Sequence, residues 1–218
     1  ADASTVAQAE AFADLLDALG IDRVGILAMS GGVPPSLQFA LAYPDRTAAL
    51  VLLSSAPFTP MTAREQALPI PPWVYQALFR SDVVFWGIVK LAPARLDPFF
   101  DIDPQARARL SDDDLAFVTG LIDGFLPVTL RTRGLANEGA AIDPGTAYDL
   151  AAIQAPTLVV HARDDGINPV AIGGYLAKGI AGSDFVEEPD GGHLLLGHIP
   201  EIRARVAAFL HRHLPTPD

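Results

Sequence analysis

Arg23-Val24-Gly25-Ile26-Leu27 followed by Ala28-Met29-Ser30-Gly31-Gly32 is the stretch from which the fold of this 218-residue chain is read. The first five residues are a short apolar run bounded by turn-forming neighbours, the pattern of a buried parallel strand. Downstream, Ser36 to Tyr43 carries apolar residues at helical spacing. Ser30 therefore sits at a strand-to-helix turn between small residues. Small flanks let strand and helix approach closely, which pushes the serine hydroxyl into the open at a strained backbone angle. The start of the following helix offers unpaired N–H groups to a developing negative charge.

Serine between small residues is common in ordinary turns, so the weight comes from two segments later in the chain. Pro156-Thr157-Leu158-Val159-Val160-His161 is a second β-branched strand pattern, stopped by Ala162-Arg163-Asp164-Asp165-Gly166. A polar, glycine-containing stop places a carboxylate at the carboxyl end of the strand, where open α/β sheets carry their chemistry. Asp165 is the preferred acid and Asp164 the alternative, either of which could simply cap the turn. A shorter strand, Asp184 to Glu187, leads into Glu188-Pro189-Asp190-Gly191-Gly192-His193. Two glycines give the backbone freedom to bring an imidazole over the sheet edge. His193 is the candidate base and His198 the runner-up. His161 reads as a packed strand residue, and His211 and His213 as solvated positions on a last helix whose apolar face is Ile202, Val206, Phe209 and Leu210.

The ordered set of serine turn, acid strand and histidine loop resembles the α/β-hydrolase family over nearly the whole chain. Smaller echoes are Tyr43-Pro44-Asp45-Arg46 ahead of a strand from Ala48 to Leu53, and Asn168-Pro169 just past the acid. The resemblance implies a mostly parallel sheet with flanking helices and a helical cap insertion. It also implies a triad of Ser30, Asp165 and His193, with Gly31 as an oxyanion donor and Met29 and Leu194 beside the substrate. Hydrolysis of a small or medium apolar carboxylic ester through an acyl-enzyme, without a cofactor, is the leading expectation. A lactone, amide or carbon–carbon substrate and a non-catalytic ligand-binding relative are the alternatives. Serine at the nucleophile position argues against dehalogenase-type chemistry.

Two features depart from the family pattern. Ala28 stands where the strict motif has glycine, but alanine is still small. In addition, only one helix, Thr5 to Leu19 with Gly20 as its stop, comes before the nucleophile strand. The resemblance calls for earlier strands there, together with a loop that supplies a second oxyanion donor. An apolar strand left at a sheet edge is a hazard that soluble proteins normally blunt. The expectation is therefore a fragment of a longer chain or one part of a split enzyme, with an amino-terminal segment as its partner.

Composition narrows the function class. A hydrophobic content of 50% permits a sizeable core, and a formal net charge of −11 argues against nucleic acid as a partner. The absence of cysteine excludes disulfides and thiolate catalysis. No apolar run is long enough to span a membrane, and a cytoplasmic location is the expectation.

The chain divides into core residues 1–56, a mostly helical cap over 57–146, and core again over 147–218. The cap opens at Pro57-Phe58-Thr59-Pro60 and closes near Asp143-Pro144-Gly145. Trp73, Val74, Tyr75, Leu78 and Phe79, and again Val83, Val84, Phe85, Trp86, Ile88 and Val89, have helical spacing. Most are expected to pack the cap onto the core, with a few lining an apolar pocket above Ser30. Arg131 to Glu138 reads as a solvated helix end or a polar wall facing substrate. Ser111-Asp112-Asp113-Asp114 reads as an N-cap followed by acids that suit the helix dipole, not as a metal site.

Overall fold

The computed structural model describes residues 4–61, 72–135 and 146–214. The expected turn Asp143-Pro144-Gly145, the stretch Ala136-Asn137-Glu138 and the side chain of Tyr75 lie outside the described residues. The chain opens with α1 (Thr5–Leu19), whose N-cap Ser4 accepts the Ala7 N–H at 3.2 Å and whose C-cap Gly20 takes a left-handed φ of 66°. There follow β1 (Val24–Met29), a 3-10 turn over Ser30–Gly32, α2 (Val33–Ala42) and β2 (Thr47–Leu53). After an intervening helical region come β3 (Thr157–Ala162), α7 (Val170–Gly179), β4 (Asp184–Glu188) and α8 (Ile199–His213).

The strands form one parallel sheet in the order β1-β2-β3-β4. Alternation along β2 shows why both faces must be covered. Leu50 and Leu52 point into a cluster with Val33 and Leu37 of α2 and Ile172 and Leu176 of α7. Ala49 and Val51 point the other way, against Ile202, Val206 and Phe209 of α8. A parallel strand buried on both faces needs apolar residues at every position, which is what 47–53 supplies. On the α2 side, α1 adds an outer contact through Ala9 and Ala13 against Phe39. The register aligns Met29 with Leu53, Leu53 with Val160, and Ala162 with Glu188. All four carboxyl ends therefore finish along one edge.

The strand expected to be apolar and unpaired is an edge among the described residues. Leu27 of β1 is 56% exposed, and Phe12, Leu15 and Leu19 of α1 are exposed as well. A groove of about 630 Å³ runs along this edge, lined in part by Phe12, Ile26, Leu27 and Met29.

Between β2 and β3 lie α3 (Pro72–Leu78), α4 (Asp82–Leu91), α5 (Pro104–Arg107) and α6 (Asp112–Asp123), with a 3-10 stretch over Pro93–Phe100. The base of this insertion is tied by the Thr59 N–H donating to the Thr146 carbonyl at 2.9 Å. Its core holds Phe79, Phe85, Val89, Leu96, Val118 and Ile122, with Phe99, Phe100 and Phe125 packed against it. Trp73 and Trp86 differ from the packing expectation and are 70% and 52% exposed. For Trp86 the reason is helical phase: Phe85 and Val89, four apart, take the buried stripe of α4, and Val83 and Trp86 fall outside it. Ser111 caps α6 and forms a capping box with Asp114. Asp114 does more than suit the dipole, because its Oδ1 accepts the Gly197 N–H at 3.0 Å. No helix among the described residues is long and apolar enough to cross a membrane.

Candidate active site

Ser30 opens the turn at the end of β1 with φ 52°, a left-handed backbone that an L-residue adopts only when its surroundings impose it. The surroundings here are the strand ladder behind it and α2 ahead of it. The Ser30 carbonyl accepts the Ala56 N–H at 3.1 Å and also caps the start of α2 through Val33. Gly31 is the next residue, buried, with its N–H at the first turn, where helical N–H groups have no internal acceptor. Met29 is half-buried and Leu194 is buried, and both pack against the aromatic core of the insertion. The apolar wall therefore reaches both flanks of the candidate nucleophile and base.

Beyond β3, the turn at 163–168 presents Asp165. Its Oδ1 accepts the N–H groups of Ile167 at 2.9 Å and Asn168 at 2.8 Å. The ring of His193 approaches the same carboxylate, with Nδ1 at 3.0 Å from Oδ2. Of the two adjacent acids, the structure brings Asp165 and not Asp164 to the imidazole. Asp164 instead accepts the Gly192 N–H at 2.9 Å and so braces the histidine loop. His198, the sequence alternative to His193, points to Asp190 at 2.7 Å and takes no part in this cluster. Of the histidines expected to be solvated, His211 is exposed, while His213 is half-buried with its ring centroid 4.7 Å from that of Phe209.

Burial pushes the Asp165 carboxyl up, but hydrogen bonds from His161 and His193, attraction to His193 and the Asn168 N–H outweigh it. The net result is a carboxyl held at about 2. A carboxylate this firmly ionised is suited to orienting an imidazole and stabilising its charged form.

The serine and the histidine share the sheet edge, but no hydrogen bond joins Ser30 to His193 among the described residues. The contact to Ser30 Oγ is from Asn168 Nδ2 at 3.4 Å, and the same amide donates to the Ser54 carbonyl at 2.9 Å. Catalytic hydrogen bonds of this type are often long without substrate and tighten when it binds.

Two residues of this site are not among the candidate site residues of the sequence. Asn168 reads there only as an echo past the acid, yet its backbone holds the acid and its side chain reaches the serine. His161, which reads as packed, is fully buried, and its Nε2 lies 2.8 Å from the Asn168 carbonyl and 3.2 Å from Asp165 Oδ2. Because a carbonyl can only accept, Nε2 carries the hydrogen and Nδ1 is left as a buried atom without a hydrogen-bond partner. A polar, titratable residue closing an apolar strand run just ahead of the acid is the signal that could have singled it out.

A family model described as alpha/beta hydrolase fold matches residues 1–197. Among curated relatives, the 2-hydroxy-6-oxononadienedioate/2-hydroxy-6-oxononatrienedioate hydrolase 2 of Pseudomonas putida is 30% identical over 182 residues, covering 81% of this chain and 58% of that protein. A putative carbamate hydrolase, RutD, of Klebsiella pneumoniae is 28% identical over 197 residues, covering 88% of this chain and 67% of that protein. Among solved structures, the alpha/beta hydrolase fold protein from Nakamurella multipartita matches with a TM-score of 0.71 and 25% identity, covering 96% of this chain and 76% of that one. This chain thus spans a little over half the length of the Pseudomonas relative.

Proposed function

The chain belongs to the α/β-hydrolase fold family, and we propose that it carries the serine-hydrolase machinery of an enzyme acting on a carboxylic ester with a small or medium apolar group. The observation that supports this reading most is the firmly ionised Asp165 against His193, at the sheet edge that also holds the strained Ser30 turn. In the proposed reaction, His193 Nε2 takes the Ser30 hydroxyl proton as Oγ attacks the carbonyl carbon. The Gly31 N–H stabilises the oxyanion. Asp165 holds the imidazolium by its Nδ1–H. The proton then passes to the leaving alcohol as its bond to the carbonyl carbon breaks, and water attacks the acyl-enzyme by the reverse route. Specificity for an apolar group follows from the aromatic core that reaches Met29 and Leu194.

A further strand-bearing segment, from the same chain or a partner chain, would cover the exposed edge of β1 and supply a second oxyanion donor. Losing one such donor typically costs about a hundred- to a thousandfold in rate. Turnover is therefore assayed on the longer protein.

The name of the Pseudomonas relative supports a second reading. The compound in that name has a ketone, an enol and two carboxylates but no ester or amide link, so its hydrolysis breaks a carbon–carbon bond. The test is labelling with a fluorophosphonate probe, then turnover of p-nitrophenyl esters of increasing chain length and of a 2-hydroxy-6-oxo-dienoate. Ser30 labelling with ester turnover is the expected result. Dienoate turnover without ester turnover would move the assignment to carbon–carbon hydrolysis. An unlabelled Ser30 in the longer protein would indicate a non-catalytic binder.

A further inference from the structure

Asp101 ends the 3-10 stretch of the insertion in the left-handed region, with φ 61°. A non-glycine residue holds this backbone only when surrounding contacts fix it. Its side chain shows what those contacts are. Oδ2 accepts the Gly166 N–H at 2.7 Å and the His193 N–H at 3.2 Å. Gly166 directly follows Asp165, so a single oxygen holds the backbone of the acid loop and of the histidine loop together. Glycine faces this carboxylate from both loops. A Cβ on Gly166 would collide with Asp101 Oδ1, and a Cβ on Gly192 would lie 3.1 Å from both the Asp101 carbonyl and Oδ2.

We propose that Asp101 is a positioning residue that locks the acid loop to the histidine loop, so that seating the helical insertion and aligning the His193–Asp165 pair become one event. This role deepens the hydrolase reading and rests on it for its catalytic meaning. Asp101 reaches the imidazole through the His193 backbone, not through the ring.

The required property is an acceptor, not a charge. Burial pushes the Asp101 carboxyl above its ordinary range, the Gly166 N–H draws it back, and the Asp165 charge raises it again. The charged and titratable groups around it are Asp164 and Asp165 on the acid loop and His193 on the histidine loop. Asp103, Arg109, Asp190 and His198 line the adjoining cavity of about 480 Å³. Among so many carboxylates, a neutral oxygen of the same shape serves the two amides equally well.

Asp101→Ala and Asp101→Asn in the full chain separate these roles, read by hydrogen exchange at the Gly166 and His193 amides. Alanine is expected to speed exchange at both amides together by about tenfold or more, because both lose their acceptor. Asparagine is expected to hold both within about threefold of the parent. In the longer enzyme, alanine lowers kcat with little change in KM, and asparagine restores it. If alanine leaves either amide protected, or asparagine fails to rescue, the proposal is overturned. Should the alanine variant not fold, Gly166→Ala, which displaces Asp101 from the acid loop, must accelerate exchange at the His193 amide in the other loop. No change there overturns it equally. Exchange needs no turnover, so coupled amides with an unlabelled Ser30 would sink the hydrolase reading and leave the clamp standing.

Discussion

Asp165→Asn tests whether the buried carboxylate is held ionised by its neighbours, as its geometry demands. Its two oxygens receive N–H groups from Ile167, Asn168 and His193 at 2.8–3.0 Å, and His161 Nε2 lies 3.2 Å from Oδ2. Burial alone would raise this carboxyl, yet the donors leave it at about 2, against 3.8 for the free group. At 1.36 kcal/mol per pKa unit, the net of burial and donors stabilises the folded chain with Asp165 ionised by roughly 2 kcal/mol. The sign comes from linkage: a group whose folded pKa is depressed contributes fully above its unfolded value and loses that contribution as pH falls. Here the window runs from about 4 down to about 2. Asparagine does not titrate, and its NH2 would face N–H donors. The variant should be less stable at pH 7 by roughly 2 kcal/mol or more, and the gap to the parent should close across that window. Urea unfolding at pH 7, 5, 4, 3 and 2 measures it. For the proposed hydrolysis, kcat should fall by a factor on the order of 10⁴, because an amide favours the wrong imidazole tautomer. A stability gap that stays constant from neutral pH to pH 2 would rule out an ionised Asp165 held by its donors.

Other perturbations test neighbouring contacts. Removing the His161 N–H by His161→Leu should shrink the acid-range loss of stability, while His161→Gln, which keeps a donor, should preserve most of it; pH-dependent unfolding of the two variants reads the difference. Gly173→Ala would place a Cβ 2.9 Å from His161 Nδ1 and 3.0 Å from its Cβ, against two rigid elements. It should cost about 1–3 kcal/mol in denaturant unfolding, and an unchanged midpoint would show that α7 can shift away from β3. Ser30→Gly should abolish probe labelling and raise stability by about 1 kcal/mol, because glycine relieves the left-handed strain at that turn. A destabilised Ser30→Gly variant would mean that the serine side chain, not the backbone, holds the elbow together.

The strands and most helices are legible in the sequence because each is written in local chemistry. The apolar run of β2 announces burial on two faces, Ser4 and Gly20 bracket α1, and Ser111 starts α6. The order serine, acid, histidine is equally visible, since each residue comes after a strand that ends in a turn. What the sequence leaves open is any choice between neighbours. Asp164 and Asp165 share a strand and a turn, and only the direction in which the turn closes decides which carboxylate meets His193 and which braces Gly192.

Contacts made by residues remote along the chain are invisible in the sequence for the same reason. Asp101 has no local motif, because its role depends on two amides that folding brings to it from the acid and histidine loops. His161 looks like packing because a buried histidine and an apolar residue occupy the same slot in a strand pattern. Its hydrogen bond to the Asn168 carbonyl and its approach to Asp165 exist only once the turn at 163–168 folds back over it. Periodicity and turn chemistry act over a few residues and so can be read from the letters. Hydrogen-bond partners and pKa values depend on distances of a few ångströms between distant segments, and those are set by the packing of sheet, helices and insertion.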